Sequence, residues 1–188
     1  AEAVGSASDL TSVDVARVAR EAIQGLTKLA ESQETRLALD LSEGLIAMAN
    51  PRSLDQVLVN LIDNALKYSP ADATVTVRAK RVSGFGLDAV AQVPGQGEAI
   101  VLEVHNTGPG IDPKHLTRIF ERFYRVDTGR SREVGGTGLG LAIVKHLCTG
   151  MGAAISVKSP PGEGVTFTIR LRASPDATEA DEADALDA

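Results

Sequence analysis

The chain has 188 residues, and 19 Lys and Arg against 25 Asp and Glu give it a formal net charge of −6 at pH 7. Six of the acidic residues lie in the segment 173–188, which has no Lys or Arg, so residues 1–172 carry 19 charges of each sign. A neutral body argues against a nucleic-acid-binding protein, the apolar runs are too short to span a membrane, and the single cysteine, Cys148, excludes an internal disulfide and indicates a reducing, intracellular setting.

Apolar spacing and turn residues predict alternating helices and strands along the chain. Asp14 and the pair Asn50-Pro51 are typical of helix starts, and Ser69-Pro70 is typical of a helix end. The predicted helices cover 14–31, 51–68, 112–123 and 138–148, and the predicted strands cover 36–41, 45–50, 74–82, 99–106, 153–159 and 165–171.

Because most of these strands are joined as hairpins, we expect an α+β fold: a two-layer α/β sandwich with helices packed on one face of a mixed, mostly antiparallel sheet. A turn at Glu43-Gly44 joins the first two strands. The glycine-rich segment 83–98 is predicted to be a loop within a hairpin, and the acidic end is predicted to be disordered. The chain then divides into a linker at 1–11, one domain at 12–172 and a tail at 173–188.

Three polar side chains lie together on the helix predicted at 51–68. At about 100° per residue, Asn60, Asn64 and Lys67 fall within an arc of roughly 60° beside the apolar stripe. An amide oxygen suits Mg²⁺, whose other positions phosphate oxygens and water can fill, and a lysine one turn away can neutralise the same phosphates. The alternative interpretation is a solvated helix face.

Two glycine-rich segments suit a ligand that carries phosphate. In HNTGPGI, glycines at 108 and 110 permit close approach of the backbone, and Asn106 can hydrogen-bond a nucleobase edge; an ordinary strand-to-helix turn is the alternative. In GGTGLGLAIVK, glycines at 136, 138 and 140 lead into an apolar helix whose first N–H groups can hold an anion. Its spacing fits neither a P-loop nor a dinucleotide fingerprint, and a helix entry without a ligand is the alternative.

The segment IFERFYRV, residues 119–126, lies between these two motifs. Its aromatic side chains, predicted to be packing residues, are Phe120, Phe123 and Tyr124. Arg122 and Arg125 can either reach phosphate or form surface salt bridges. The polar stretch 126–137 is either a mobile flap or a plain loop.

Four motifs occur in one order with consistent spacing: NLIDNALKYSP, NTGPGI, IFERFYRVD and GGTGLGLAIVK. They strongly resemble the N, G1, F and G2 boxes of the catalytic and ATP-binding domain of two-component sensor histidine kinases. That domain belongs to the superfamily of DNA gyrase, heat-shock chaperone and mismatch-repair ATPases. The resemblance covers roughly residues 12–172 and implies a Bergerat-type fold that holds ATP and Mg²⁺ between the N-box helix and the flap.

The resemblance also implies a role for each matched residue. Asn64 is expected to be the principal Mg²⁺ ligand, with Asn60 as its helper. The residues expected to carry catalysis are Asn60, Asn64, Lys67, Arg122 and Arg125. The other residues expected around the nucleotide are Tyr68 and Asn106 at the adenine, Gly108, Gly110 and Ile111 beside it, and Gly136, Thr137, Gly138, Leu139 and Gly140 at the phosphates.

Three positions depart from the family pattern. The G1 box usually begins with Asp, where this chain has Asn106, whose uncharged oxygen can still accept a hydrogen bond from the adenine amino group. Val165 stands where Ser or Thr is often found. Asn60 stands where the related ATPases carry Glu, and because an amide cannot act as a general base, this favours phosphoryl transfer over steady ATP hydrolysis.

The activity that the resemblance implies is transfer of the γ-phosphate of ATP to a histidine on a helical hairpin of the same parent kinase, which then acts on a response regulator. His105, His115 and His146 lack the sequence context of that acceptor. We therefore expect a fragment, the cytoplasmic part of a kinase anchored in an inner or plasma membrane, with no contact of its own to membrane or nucleic acid. The alternatives are a related ATPase or anti-sigma-type serine kinase, and a nucleotide-binding module without transfer activity.

Overall fold

The computed structural model describes residues 9–83, 98–126 and 137–175. Within these ranges the helices are α1 (Val15–Ser32), α2 (Pro51–Tyr68), α3 (Pro113–Leu116) and α4 (Gly140–Gly150). The strands are β1 (Thr11–Asp14), β2 (Arg36–Leu41), β3 (Ile46–Ala49), β4 (Thr74–Val82), β5 (Ala99–Asn106), β6 (Ala154–Lys158) and β7 (Val165–Arg172).

Helix α2 has the bounds that the sequence predicts, and α1 begins and ends one residue later than predicted. The Asp14 side chain accepts a hydrogen bond from the first turn of α1, and Asn50 Oδ1 accepts one from the backbone N–H of Ser53 at 3.0 Å in α2. These caps satisfy N–H groups that have no partner inside the helix. Helix α2 ends because Ser69 is extended, the conformation favoured before Pro70.

Five strands form the main sheet in the order β2-β4-β5-β7-β6, with β2 parallel to β4 and the other neighbours antiparallel. One face of this sheet is apolar and carries α1, α2 and α4. The inward side chains alternate along each strand, as a period of two requires. They include Val75 and Val77 of β4, Ile100, Leu102 and Val104 of β5, and Phe167, Ile169 and Leu171 of β7. This confirms the predicted sandwich with a mixed, mostly antiparallel sheet.

The strands predicted at 36–41 and 45–50, with a turn between them, do not form a hairpin, because β2 and β3 lie in different sheets. The crossover through α2 returns the chain beside β2 in the parallel direction. Strand β3 pairs instead with β1, an element that was not predicted. Four residues of β1 are too few for a strand pattern to stand out in the sequence.

The helix predicted at 112–123 is also too long. Only α3 is helical, and the turns that follow it use tight bonds three residues apart, such as Arg118 N–H to His115 O at 2.9 Å. Phe123 then adopts a left-handed backbone conformation with φ 64°, which no helix tolerates. The helix predicted at 138–148 begins two residues later and runs to Gly150.

Packing continues past the predicted domain boundary at residue 172. Ser174 is 2% exposed, its N–H donates to Ile46 O at 2.9 Å, and its hydroxyl lies 2.7 Å from that of Ser12. The predicted disordered tail beyond Pro175 and nearly all of the predicted loop at 83–98 lie outside the described residues. None of the helices in the described ranges combines the length and apolar character that a membrane crossing requires.

Candidate functional site

Helix α2 presents its predicted polar residues along one edge of its buried face. Asn60, Asn64 and Lys67 are all half-buried, beside the fully buried Leu61 and Leu58. The Lys67 ammonium forms an ion pair with Asp63 one turn earlier. This arrangement brings two amides and one ammonium to the boundary between core and solvent, where ligands bind.

Asn60 has an unusual environment within the described residues. Its Nδ2 atom is buried and has no hydrogen-bond partner. Its Oδ1 lies 3.8 Å from the position that a Cβ atom on Gly140 would occupy, so the amide faces the beginning of α4. Since buried polar groups are almost always satisfied, this donor marks a place where an acceptor is expected.

The first turn of α4 is built for a close approach. Leu139 precedes the helix without making a side-chain cap, so the first N–H groups have no side-chain partner. Gly138 has φ 69°, and a Cβ atom there would lie 2.9 Å from the Phe123 backbone. The Phe123 N–H donates to Gly138 O at 2.9 Å, which connects the third predicted motif to the fourth. Thr137 is exposed, and Gly136 lies outside the described residues.

The turn after β5 is fixed by contacts with the β6–β7 turn. Ser159 is buried, and its hydroxyl accepts from Ile111 N–H at 2.7 Å and donates to Gly164 O at 2.9 Å. A Cβ atom on Gly110 would lie 2.7 Å from the same hydroxyl, and one on Gly164 would overlap the carbonyl of Asn106. Sequence reasoning missed Ser159 and Gly164, because no local pattern around the strands predicted at 153–159 and 165–171 indicates a contact with the β5 turn.

Asn106 ends β5 and is 6% exposed. Its Nδ2 donates to Ser69 Oγ at 3.1 Å, which joins the second motif to the end of the first. Tyr68, next to this contact, is half exposed. Val165 is the register partner of Asn106 on β7 and is buried.

The aromatic residues of the third motif divide into two groups. Phe120 meets Phe167 edge-on with ring centroids 6.3 Å apart, and Tyr124 Oη lies 2.7 Å from His115 Nδ1. The prediction of packing is wrong for Phe123, which is 71% exposed, because its left-handed backbone breaks the helical spacing that would align the three rings.

The two arginines of this motif differ in exposure. Arg122 is exposed and has no ion pair among the described residues, whereas Arg125 is half-buried with its Nε atom enclosed. Of the predicted flap at 126–137, only the first and last residues are described.

The opposite face of the sheet is polar and lies away from these motifs. His105 hydrogen-bonds Thr166 there through Nδ1 at 2.9 Å, and burial, followed by the charge of Arg78, lowers its pKa. A depression on this face is lined by charges of both signs, among them Asp40, Arg78 and Glu103. Such mixed charge offers no preference for a nucleotide, so we assign the candidate site to the α2–α4 edge and the β5 turn.

Comparisons with known proteins identify the family of the chain. The family model of histidine kinase-, DNA gyrase B- and HSP90-like ATPases matches residues 49–175. The sensor-like histidine kinase SenX3 of Mycobacterium tuberculosis is 36% identical over 174 residues, which cover 93% of this chain and 39% of SenX3. The chain therefore spans about two fifths of the length of such curated relatives.

Two solved structures share the fold. Full-length ShkA in complex with AMPPNP superposes with a TM-score of 0.70 at 30% identity, covering 93% of this chain and 33% of ShkA. The mycobacterial sensor histidine kinase MprB gives a TM-score of 0.68 at 26% identity, covering 88% of this chain and 99% of that structure. The chain belongs to the family of histidine kinase-, DNA gyrase B- and HSP90-like ATPases, and its relatives within that family are sensor histidine kinases.

Proposed function

We propose that the chain binds Mg²⁺-ATP and transfers the γ-phosphate to a histidine supplied by another domain, as the catalytic domain of a sensor histidine kinase in two-component signalling. The observation that carries the proposal is the meeting of the α2 edge with the uncapped first turn of α4, around the buried and unpartnered Nδ2 of Asn60. A buried donor left unpaired costs about 1–3 kcal/mol, and a phosphate oxygen would remove that cost.

The residues present fit a magnesium ion held partly by its nucleotide. No group of three or more His, Cys, Asp or Glu side chains converges in the described parts of the chain. Mg²⁺ can instead be held by one or two protein oxygens together with phosphate oxygens and water. Asn64 is half-buried, and its side chain forms no hydrogen bond with the described residues. Its neutral amide oxygen suits Mg²⁺. We assign Asn64 as the principal ligand and Asn60 as its helper. When bound, Mg²⁺ supplies charge neutralisation at the phosphate oxygens.

The other phosphate contacts come from cations and from the backbone. Lys67 lies one turn after Asn64 and is paired with Asp63, so phosphate oxygens would compete with that carboxylate for its ammonium. The N–H groups that begin α4 point along the helix axis and favour an anion. Arg122 and Arg125 lie on the segment whose backbone is hydrogen-bonded to Gly138, which supports a role for both at the phosphates.

The base would lie at the other end of the site. Asn106 ends the strand there, and Ser159 holds the glycine-rich turn that shapes this end. The amide oxygen of Asn106 accepts a hydrogen bond from the adenine amino group, and Tyr68 packs on the ring.

None of the three histidines of this chain has the sequence context of a phosphoacceptor. His105 is bonded to Thr166 and His115 to Tyr124, while His146 lies exposed on α4. The acceptor histidine would therefore belong to a helical-hairpin domain of the parent kinase, which then passes the phosphate to a response regulator. We place the domain on the cytoplasmic side of a membrane-anchored parent.

Phosphotransfer to a separately prepared hairpin tests the proposal. The chain is incubated with Mg²⁺-ATP and the acceptor hairpin of a histidine kinase, and acid-labile phosphate on the hairpin is measured. A hairpin whose acceptor histidine is replaced by alanine is the control and should stay unlabelled. ATP binding without transfer to any hairpin would favour a nucleotide-binding module, and steady ATP hydrolysis would favour an ATPase.

A further inference from the structure

A chain of hydrogen bonds connects the end of α2 to the side chain of Asn106. Ser69 Oγ donates to Ala65 O at 2.7 Å and accepts from Asn106 Nδ2 at 3.1 Å. A serine hydroxyl has a single hydrogen, and a carbonyl oxygen can only accept. Since the Ala65 carbonyl takes that hydrogen, Ser69 can present only a lone pair to Asn106.

A second acceptor reinforces this orientation. Asn106 Nδ2 also lies 3.4 Å from Thr107 O, which again can only accept. If the amide were turned over, its oxygen would face two acceptors, and neither hydrogen bond would remain. The network therefore fixes the amide nitrogen towards Ser69 and Thr107. Asn106 Oδ1 takes part in no hydrogen bond with the described residues, so it stays available as an acceptor.

We propose that Ser69 is a positioning residue that locks the amide of Asn106 and thereby makes the site select 6-aminopurine over 6-oxopurine nucleotides. This inference rests on the proposed function, in which the β5 turn receives the base. A 6-amino group donates to the available amide oxygen of Asn106. A 6-oxo group would place two acceptors opposite each other, and both would be left unpaired in a buried place.

The lock matters because the residue is an amide. A carboxylate presents an acceptor whichever way it is turned, whereas an asparagine can present either a donor or an acceptor. Asparagine in place of the aspartate of the resembled motif thus keeps the preference for adenine only while its orientation is held. Ser69 holds it from the C-cap of α2, 37 residues before Asn106 in the sequence.

The ratio of the dissociation constants of two nucleotides measures the selectivity of the site. Dissociation constants of Mg²⁺-ATP and Mg²⁺-ITP, which carries a 6-oxo group, are determined by calorimetry for the unchanged chain, S69A and S32A. We expect the unchanged chain to favour ATP at least tenfold and S69A to lose about fivefold of that ratio, the effect of one hydrogen bond. S32A should keep the ratio, because Ser32 also donates to a carbonyl at 2.7 Å at a helix end but lies on α1.

A double-mutant cycle separates this role from a merely structural one. In the N106D background, S69A should leave the ATP-to-ITP ratio unchanged, because a carboxylate has no donor to misplace. Equal loss of the ratio in both backgrounds would overturn the lock. If S69A is unstable, S69T and S69V replace it, because their side chains have the same shape and only threonine has a hydroxyl. S69T should retain the ATP-to-ITP ratio and S69V should lose it. The opposite pattern would overturn the inference.

The unchanged chain distinguishes this inference from the proposed function. Equal binding of ATP and ITP would overturn the lock while leaving nucleotide binding in place. Binding of neither nucleotide would overturn both.

Discussion

Asn60 and Asn64 lie one turn apart on α2, and their surroundings suit different contacts. The side-chain amide nitrogen of Asn60 is buried without an acceptor. Asn64 is half-buried, and its side chain makes no hydrogen bond with the described residues. A buried donor is satisfied by a phosphate oxygen, and an uncommitted amide oxygen is a suitable metal ligand. For this reason we propose Asn64 as the principal metal ligand.

We therefore expect N64A to weaken Mg²⁺-dependent ATP binding by about tenfold or more, which is a loss of about 1.4 kcal/mol. The reason is that the substitution removes the oxygen ligand while leaving α2 intact, since alanine favours helices. Calorimetric titration with and without Mg²⁺ measures this, and the difference between the two conditions should shrink in N64A. Q56A, at an exposed position of the same helix, is the control. An unaltered Mg²⁺ dependence in N64A would rule out the assignment.

The β6–β7 turn holds the turn after β5, where we propose that the base binds, and its two glycines offer a matched comparison. Both have positive φ, 78° at Gly162 and 83° at Gly164, but a Cβ atom meets nothing within 4 Å at Gly162 and overlaps the Asn106 carbonyl at Gly164. We expect G162A to cost about 1 kcal/mol from backbone conformation alone and G164A to cost about 2–4 kcal/mol.

Urea denaturation followed by circular dichroism measures both free energies of unfolding. G164A should also weaken ATP binding, since its carbonyl holds the Ser159 hydroxyl that orients Ile111. Equal costs for the two substitutions would contradict the steric account.

Elements with strong local signals could be predicted from the sequence, and those set by distant contacts could not. Helix α2 has a cap, a proline at its start and a regular apolar stripe, so its bounds were predicted correctly. The polar edge of α2, with Asn60, Asn64 and Lys67, was predicted because the helical period places these residues beside the apolar stripe. Strand β2 pairs with β4 across α2, which no local pattern reveals.

The missed site residues have the same explanation. Ser69, Ser159 and Gly164 act only through contacts with the β5 segment, 37 or more residues away for the Ser69 and Ser159 hydrogen bonds. A serine or a glycine in a turn is common, and only the fold shows which of them touches Asn106. Phe123 was misplaced because one left-handed residue interrupts a spacing that otherwise indicates a helix.

The last residues of the described chain pack against the rest of the molecule. Ala173 forms a bridge with Ala47 and its N–H donates to Glu98 O at 3.0 Å, while Ser174 reaches both Ile46 and Ser12. These contacts join β7 to the small β1–β3 sheet. We therefore predict that the stable unit extends beyond residue 172.

A pair of truncations tests this boundary. A chain that ends after Pro175 should unfold at the same urea concentration as the full chain. One that ends after Arg172 should lose about 2–3 kcal/mol, because it lacks several hydrogen bonds that each contribute about 1 kcal/mol. Equal stability of the two truncated chains would show that these contacts contribute nothing.

The stability of the whole molecule should also decline in alkali because of its one thiol. Cys148 is fully buried on α4, and burial raises its pKa from 9.0 to about 12. Between these values the unfolded chain loses the thiol proton while the folded chain keeps it, so the free energy of unfolding falls as pH rises. The decline from this one group is at most about 1.4 kcal/mol per pH unit.

C148A removes this titration, so its stability should fall less than that of the unchanged chain between pH 8.5 and 10.5 in urea denaturation. All other residues are the same in both proteins, so the comparison of slopes isolates the contribution of Cys148. The folded thiol should also resist a disulfide reagent at pH 8, because thiolate is the reactive form and the side chain is enclosed. Rapid labelling of the folded chain, or parallel pH slopes for the two proteins, would show that Cys148 is not held as a buried neutral thiol.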